Sequence, residues 1–400
     1  MNERKSKRII MRVLILMDMP LFPYRIYAYN GLAERGYDLT VVSMSEKDVK
    51  YDIELKFRHI RLSYKTFYGL RYVKGMGAVR LEEYDAIILA PNLRMLNFYR
   101  FYNKKYWHKL IGWGHHKGCT SGNRIAAAFR NRMFKKFAAL IFYDYDTCED
   151  YKRNGYDPAK LYVANNTQYV DLLKVDLTAA RDSFLYVGRI QERKSVDMAL
   201  RSFARLKKEV PSDGLKFRVV GGGESGALKT LVQEKGVAAD VEFTGPIHDE
   251  EKLAEVFNAA YAYVSPGHVG LGVLHSLAFG VPVITCLGRK HSVEIANCME
   301  ENSFVVEYSD EAVSEAMRRL FTEKELWQKM SRSAHQYYKE SCTIDVMVDG
   351  VDNALKYVMS KMKMSDIQQI TPPHKIGIDG CWLTINGYSG CALEEWRVAA

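Results

Sequence analysis

The 400-residue sequence has no C-x-x-C pair and no Cys and His at zinc-finger spacing. Its seven cysteines, Cys119, Cys148, Cys286, Cys298, Cys342, Cys381 and Cys391, are scattered. An odd, unpatterned set argues against a disulfide scaffold and a structural zinc, and reads as reduced thiols in a cytosolic compartment. A secretory signal is missing too: residues 1–8 are polar and basic but lead into no apolar core with a small-residue cleavage site. The run 13–17 is better explained as a first β-strand. The longest apolar stretch, 259–285, is interrupted by Pro266, His268, His275 and Pro282, which makes it a poor membrane span. Low-complexity segments and short internal repeats are also lacking.

Acidic residues are absent between Asp85 and Asp144, a stretch that holds eleven Lys or Arg. Residues 1–170 carry 30 Lys and Arg against 16 Asp and Glu, the rest 27 against 32, for a net charge of +9. A basic first half and a slightly acidic second half suit two domains with different partners. No nucleic-acid reading module accompanies the basic charge, so nucleic acid is not an expected partner. With 48% hydrophobic residues the chain can bury two cores.

Apolar runs alternate with helix-like stretches throughout. In the first half the expected strands are 12–17, 38–44, 59–63, 85–90, 110–113, 139–143 and 161–164. A polar stretch, 165–181, breaks the pattern, and alternation restarts with 184–187, 216–220, 241–244, 262–265 and 281–285. Strands this apolar belong to parallel sheets covered on both faces, with ligands at the C-terminal strand ends.

Three motifs carry chemistry. In F-L-Y-V-G-R-I-Q-E-R-K-S-V-D, residues 184–197, a strand ends at Gly188, and Arg189 and Lys194 follow before Ser195, a good helix N-cap. Two cations beside a helix start make a site for a diphosphate; an isolated pair of this spacing would more often be a solvated surface. In the second motif, 264–285, a buried strand runs into S-P-G-H-V-G-L, then a short apolar helix holding His275. Taken singly, His268 and His275 are more often structural than functional. The third is V-V-G-G-G-E, 219–224, a glycine loop after a strand.

In this order and spacing the three motifs resemble the C-terminal donor half of retaining glycosyltransferases of family four, over about 165–358. The resemblance implies an α/β GT-B fold: two Rossmann-like doubly wound domains facing a central cleft. The expected boundaries are 1–168 for an acceptor-binding domain, 169–340 for a nucleotide-sugar donor domain, and 341–364 for a helix crossing back to the first. It further implies that Arg189 and Lys194 hold the donor diphosphate, with donor contacts from Gly188, Gly222, Glu224, Ile247, His268, Gly270 and Leu271. The family's E-x7-E pattern falls on Gly267 and His275, so both carboxylates are missing. A neutral His275 has one acceptor nitrogen for the ribose diol that the second Glu usually binds. The sequence W-G-H-H-K, 113–117, resembles the cleft loop of these enzymes and makes His115 a candidate beside the transferred sugar. Tyr24 and Arg25 are candidates for the acceptor side.

No cofactor or metal is expected; the nucleotide-sugar is a substrate, and the acceptor a glycan or polyprenyl-linked saccharide. The alternative is a catalytically inactive GT-B subunit that binds glycan or scaffolds an assembly, for which the missing carboxylates argue. The acid-free stretch interleaves Tyr99, Tyr102, Tyr106 and Trp107 with cations, and Ala126, Phe129, Met133 and Phe137 fall at helical spacing. Such segments suit contact with anionic lipid, hence a peripheral location at the inner face of the membrane; the plainer reading is an aromatic core stripe with a solvated face.

The tail 365–400 holds K-I-G-I-D-G-C-W-L-T-I-N-G-Y-S-G from Lys375. It resembles the first strand and loop of many family-four enzymes, as if a second transferase were cut short; a docked β-hairpin is the other possibility. A single strand cannot form a core. Deleting everything after Pro373 should therefore leave melting temperature and activity unchanged, and a loss of several degrees would show that the tail belongs to the fold.

Overall fold

The computed structural model describes residues 10–45, 51–114, 128 and 131–362. The chain forms two units, Met1–Asn165 with Met347–Ala400, and Asn166–Val346.

In the first unit the main sheet consists of β1 (Arg12–Leu16), β2 (Asp38–Met44), β3 (Arg58–Leu62), β6 (Ala86–Leu89), β7 (Leu110–Trp113), β8 (Ala139–Phe142) and β9 (Leu161–Val163). All run parallel, in the order β3-β2-β1-β6-β7-β8-β9. Val13, Leu14, Ile15 and Leu16 are all buried, as are Ala86 to Leu89, so these strands show runs rather than alternation, as burial on both faces requires. A separate antiparallel hairpin joins β4 (Tyr64–Phe67) to β5 (Leu70–Val73). It was not expected from the sequence.

The aromatic residues of the acid-free stretch divide. Phe98, Phe101, Phe134 and Phe137 are core, and Tyr102, Tyr106 and Trp107 are partly buried against it. Lys109 donates to the carbonyls of Leu81 and Tyr84 at 2.9 and 2.6 Å, and Lys105 pairs with Glu82. The expected lipid-facing stripe is thus largely interior packing, with Tyr99 exposed. Ala126 and Phe129 lie outside the described residues. Among the described residues no helix is long and apolar enough to cross a membrane.

The helix Ile344–Lys361 joins the first unit from Met347 onward. Arg35 spans Asp349 and Asp352 at 2.6 and 3.0 Å, and Tyr37 donates to Asp352 at 2.5 Å. Gly350 sits where a Cβ would fall 2.0 Å from the Val163 carbonyl oxygen, which explains glycine in mid-helix, where it is otherwise disfavoured by about 1 kcal/mol.

In the second unit β10 (Ser183–Val187), β11 (Lys216–Val220), β12 (Val241–Gly245), β13 (Ala260–Val264), β14 (Val283–Cys286) and β15 (Ser303–Val306) form a parallel sheet, ordered β12-β11-β10-β13-β14-β15. The order reverses between β10 and β13, so their C-terminal ends diverge and leave the crevice where doubly wound sheets bind ligands. The helix Val196–Glu209 buries Val196, Met198, Ala199, Leu200, Phe203, Ala204 and Leu206 against this sheet. That face fixes the direction in which the preceding loop must enter.

Gly350→Ala should destabilise the protein by about 1–3 kcal/mol despite alanine's better helix propensity, because the methyl group meets backbone rather than a movable side chain. Chemical denaturation measures this. Equal or greater stability would contradict the close approach.

Candidate active site

Two loops of the second unit meet at the crevice, one after β10 and one after β13. Beyond Val187, Gly188 takes φ +150°, and its N–H donates to the Val220 carbonyl at 2.9 Å. Ile190 N–H donates to Gly222 O at 2.8 Å, so the loops after β10 and β11 zip together past the sheet. This explains the glycine run: a Cβ on Gly221 would lie 1.9 Å from Gly188 O, and one on Gly223 2.5 Å from Ile190 O. Of the three, Gly222 has open space around it. The glycine loop therefore serves backbone approach first.

The β10 loop then docks on the β13 loop. Gly267 N–H donates to Lys194 O at 3.1 Å and His268 N–H to Arg193 O at 2.8 Å, while Lys194 Nζ donates to His268 O at 2.6 Å. A Cβ on Gly267 would lie 2.3 Å from Arg193 O and 2.4 Å from the Lys194 carbonyl carbon. Glutamate cannot occupy this position while the loops are joined. Lys194 Nζ lies 3.7 Å from where a Cβ on Gly270 would be, so the ammonium stands over the turn that enters the helix Gly272–Ala278.

Ser195 is the residue before the helix Val196–Glu209, but its hydroxyl does not cap it. It bonds Tyr308 Oη at 2.9 Å, and φ is +52°, a left-handed conformation that costs a non-glycine residue roughly 1–2 kcal/mol. Burial pulls the Lys194 ammonium down to about 8, with Arg193 and Arg189 adding repulsion and Glu294 opposing them. The Arg189 side chain is exposed. Burial, then the charges of Lys194 and Arg193, lowers the His268 pKa.

His275 behaves differently from the expected diol acceptor. The Gln168 amide nitrogen donates to Leu271 O at 3.1 Å, which fixes its orientation, and the same nitrogen meets His275 Nδ1. Nδ1 therefore accepts and Nε2 carries the proton, leaving no lone pair for a ribose hydroxyl. The ring stacks on Phe257 and Phe279 at centroid distances of 5.2 and 6.2 Å, and burial lowers its pKa to about 4.

The remaining expected donor residues are spread along the same strand ends. Glu224 Oε1 accepts the Gly226 N–H at 2.8 Å and so caps the helix Gly226–Glu234 locally. Ile247 packs, partly buried, on the core that holds Phe257 and Tyr263. In the first unit Arg25 is buried, its guanidinium 5.1–5.3 Å from the ring centroids of Tyr24, Trp113 and Tyr143, and it donates to Tyr143 Oη at 2.9 Å. That position revises the acceptor-facing expectation for Arg25: its charge is enclosed by aromatics. Tyr24 is partly buried and stacks on Phe22. His115 lies outside the described residues.

The sequence motifs missed Gln168, Asn166 and Glu294. Glu294, buried on the turn 293–297 after β14, accepts from Asn166 Nδ2 through Oε1 at 2.5 Å. Among the described residues Glu294 Oε2 and His268 Nδ1 are buried polar atoms without a hydrogen-bond partner. Such atoms cost about 1–3 kcal/mol each unless a ligand or water completes them.

Residues 176–337 match the family of group 1 glycosyl transferases. The matched segment contains every loop described above for the second unit except that of Gln168 and Asn166. A D-inositol 3-phosphate glycosyltransferase from Nocardiopsis dassonvillei is 36% identical over 126 residues, 28% of this chain and 29% of that protein. The lipopolysaccharide glucosyltransferase WaaG of Escherichia coli K12 is 26% identical over 178 residues, 43% of this chain and 46% of WaaG. The chain thus spans less than half the length of these curated relatives. Among solved structures, a glycosyltransferase from Rickettsia africae superimposes with a TM-score of 0.65 at 12% identity, covering 88% of this chain and all of that one. Anabaena HepE in complex with UDP gives 0.61 at 11% identity, covering 86% and 100%. The fold is GT-B.

Gly267→Ala should push the Arg193–Lys194 backbone off the β13 loop and weaken binding of a nucleoside diphosphate roughly tenfold or more, the scale of one misplaced charged hydrogen bond. Calorimetric titration reads this; unchanged affinity would mean that Gly267 does not set the Lys194 position.

Proposed function

We propose that the chain is a retaining, hexosyltransferase-type glycosyltransferase, taking a sugar from a nucleotide-sugar to a cell-surface glycan or lipid-linked saccharide precursor. The observation that carries this reading is Lys194 Nζ, fixed on His268 O at 2.6 Å at the point where the strand order reverses. A glycosyl donor leaves as a diphosphate, and negative charge on it grows as the bond from the anomeric carbon breaks. Positive charge held there without reorganisation stabilises the transition state more than the ground state. Lys194 supplies a point charge, and exposed Arg189 a planar fork suited to phosphate oxygens. The acceptor oxygen bonds the anomeric carbon, and its proton passes to the leaving diphosphate. No metal is required where the two side chains carry the charge.

Glu294 takes the part of the absent E-x7-E carboxylate. Its second oxygen has no hydrogen-bond partner among the described residues, and its charge acts on the Lys194 ammonium. A D-inositol 3-phosphate glycosyltransferase and a lipopolysaccharide glucosyltransferase among the relatives agree with a glycan or phosphorylated acceptor. The strongly basic first half fits work at the inner face of an anionic membrane. An inactive glycan-binding subunit is the second reading, favoured by Gly267 and His275 standing where relatives carry glutamates.

Release of free nucleotide from a panel of UDP-, GDP- and ADP-sugars tests the proposal. Arg189→Ala and Lys194→Ala should each lower turnover by about two to three orders of magnitude, and Glu294→Gln by roughly tenfold. Near-normal turnover in well-folded Lys194→Ala would overturn the assignment, and tight binding without release from any sugar would favour the inactive subunit.

A further inference from the structure

The hairpin β4–β5 presents an apolar face that nothing in the fold accounts for. Its register pairs Tyr64 with Val73, Lys65 with Tyr72, Thr66 with Arg71 and Phe67 with Leu70. Alternation puts Tyr64, Thr66, Arg71 and Val73 on one face. That face packs on the core through Val73 and Tyr64, while the edge of β5 is held by Arg71 N–H on Arg94 O at 2.7 Å and Val73 N–H on Asn97 Oδ1 at 2.6 Å. The other face carries Lys65, Phe67, Leu70 and Tyr72, and all four are exposed. Phe67 is 71% exposed, Tyr72 55% and Leu70 40%. Tyr99 and Leu96, also exposed, lie on the segment Leu96–Tyr102 beside Asn97, to which β5 is bonded.

The turn is more telling. Tyr68 and Gly69 form the two-residue loop with φ +46° and +77°. A loop with both central residues left-handed favours Asn-Gly or Asp-Gly. A left-handed conformation is strained for an aromatic residue, yet Tyr68 is 93% exposed and recovers nothing from the core. Its ring meets Phe67 edge-on at 4.6 Å, so the tip is a paired aromatic wedge.

Charge selects the occupant. Between Glu54 and Glu82 there is no acidic residue but seven Lys or Arg, among them Lys65, Arg71 and Lys74. A second copy of this face would set these like charges against each other. A surface of anionic phospholipid complements them, and aromatic tips with cationic flanks settle at the headgroup boundary of such a surface. We propose that the outer face and tip of the β4–β5 hairpin, Phe67, Tyr68, Leu70 and Tyr72 with Lys65, dock the protein on an anionic bilayer. The inference rests on the proposed membrane location and replaces the acid-free 85–144 stretch as its contact surface. Insertion of the tip leaves the basic flanks over the headgroups, where each cation adds attraction to the anionic surface.

Cosedimentation with vesicles of phosphatidylcholine alone, and of phosphatidylcholine with one quarter phosphatidylglycerol, tests it at low and high salt. The whole chain should bind the anionic vesicles and be partly released by salt. Tyr68→Asn places a preferred turn residue at the tip, so its melting temperature should hold or rise while binding falls. Phe67→Thr with Leu70→Thr should lower the partition coefficient roughly tenfold, the scale of two lost apolar anchors, with nucleotide release in solution unchanged. Wild-type protein that ignores anionic vesicles at low salt would overturn the membrane location itself. Equal binding by wild type and both variants would leave that location standing and overturn the hairpin. Variants that change oligomeric state in light scattering, with vesicle binding unaltered, would assign the face to self-association and overturn the proposal.

Discussion

The arrangement of the second unit depends on one junction, the backbone docking of 193–194 onto 267–268. Two amide hydrogen bonds and the Lys194 ammonium on His268 O join the loops after β10 and β13. Several features that look independent in the sequence follow from it. Gly267 has to lack a side chain, because the partner backbone lies within 2.5 Å of any Cβ. Ser195 is driven into a left-handed conformation as the chain leaves the junction and enters the helix Val196–Glu209. Lys194 is half-buried and easily deprotonated for a lysine because the same junction screens it from water. A flexible surface lysine would need to lose conformational entropy on binding a diphosphate; this one has already lost much of it.

The two positions on which the resembled E-x7-E pattern falls are both used otherwise in this structure. Gly267 is filled by the backbone of the loop junction, and His275 is a neutral histidine held by Gln168 and two phenylalanines. Glu294 brings a carboxylate back to the neighbourhood from a different turn, close enough to influence the Lys194 ammonium. Positive and negative groups thus coexist at the crevice without direct pairing, a condition that a phosphate and several hydroxyls could complete together.

Much of the fold was legible because its central strands are buried on both faces and its strands are flanked by turn signals. All seven strands of the first sheet and five of six in the second lie where apolar runs such as 13–16 and 283–286 place them. β15 escaped notice, its Ser303–Val306 run being short and preceded by polar residues. The hairpin β4–β5 escaped for a more informative reason. Three of its apolar residues, Phe67, Leu70 and Tyr72, face outward and its turn is Tyr68-Gly69, so neither a clean alternation toward a core nor turn chemistry announced it. The motifs named Gly188, Arg189 and Lys194, which the structure puts in the loop after β10 beside the crevice, because strand-end glycines and cations have a local signature. Gln168, Asn166 and Glu294 act across more than a hundred residues of sequence and left none.

The claim that Lys194 is poised for a diphosphate is tested most directly by its titration. Its ordinary pKa is lowered to about 8 by burial first, so the unliganded protein loses this charge as pH rises through that value. A bound diphosphate favours the ammonium and raises its pKa, so affinity must fall as pH climbs from about 8 toward 10. Calorimetric titration of UDP, GDP and ADP across pH 7 to 10 should give, for the tightest of them, affinity that is level near neutrality. Above pH 8 it should drop by up to about tenfold per pH unit, and Lys194→Ala should bind more weakly with that slope removed. Affinity that does not change across the range, or the same slope in Lys194→Ala, would contradict the account.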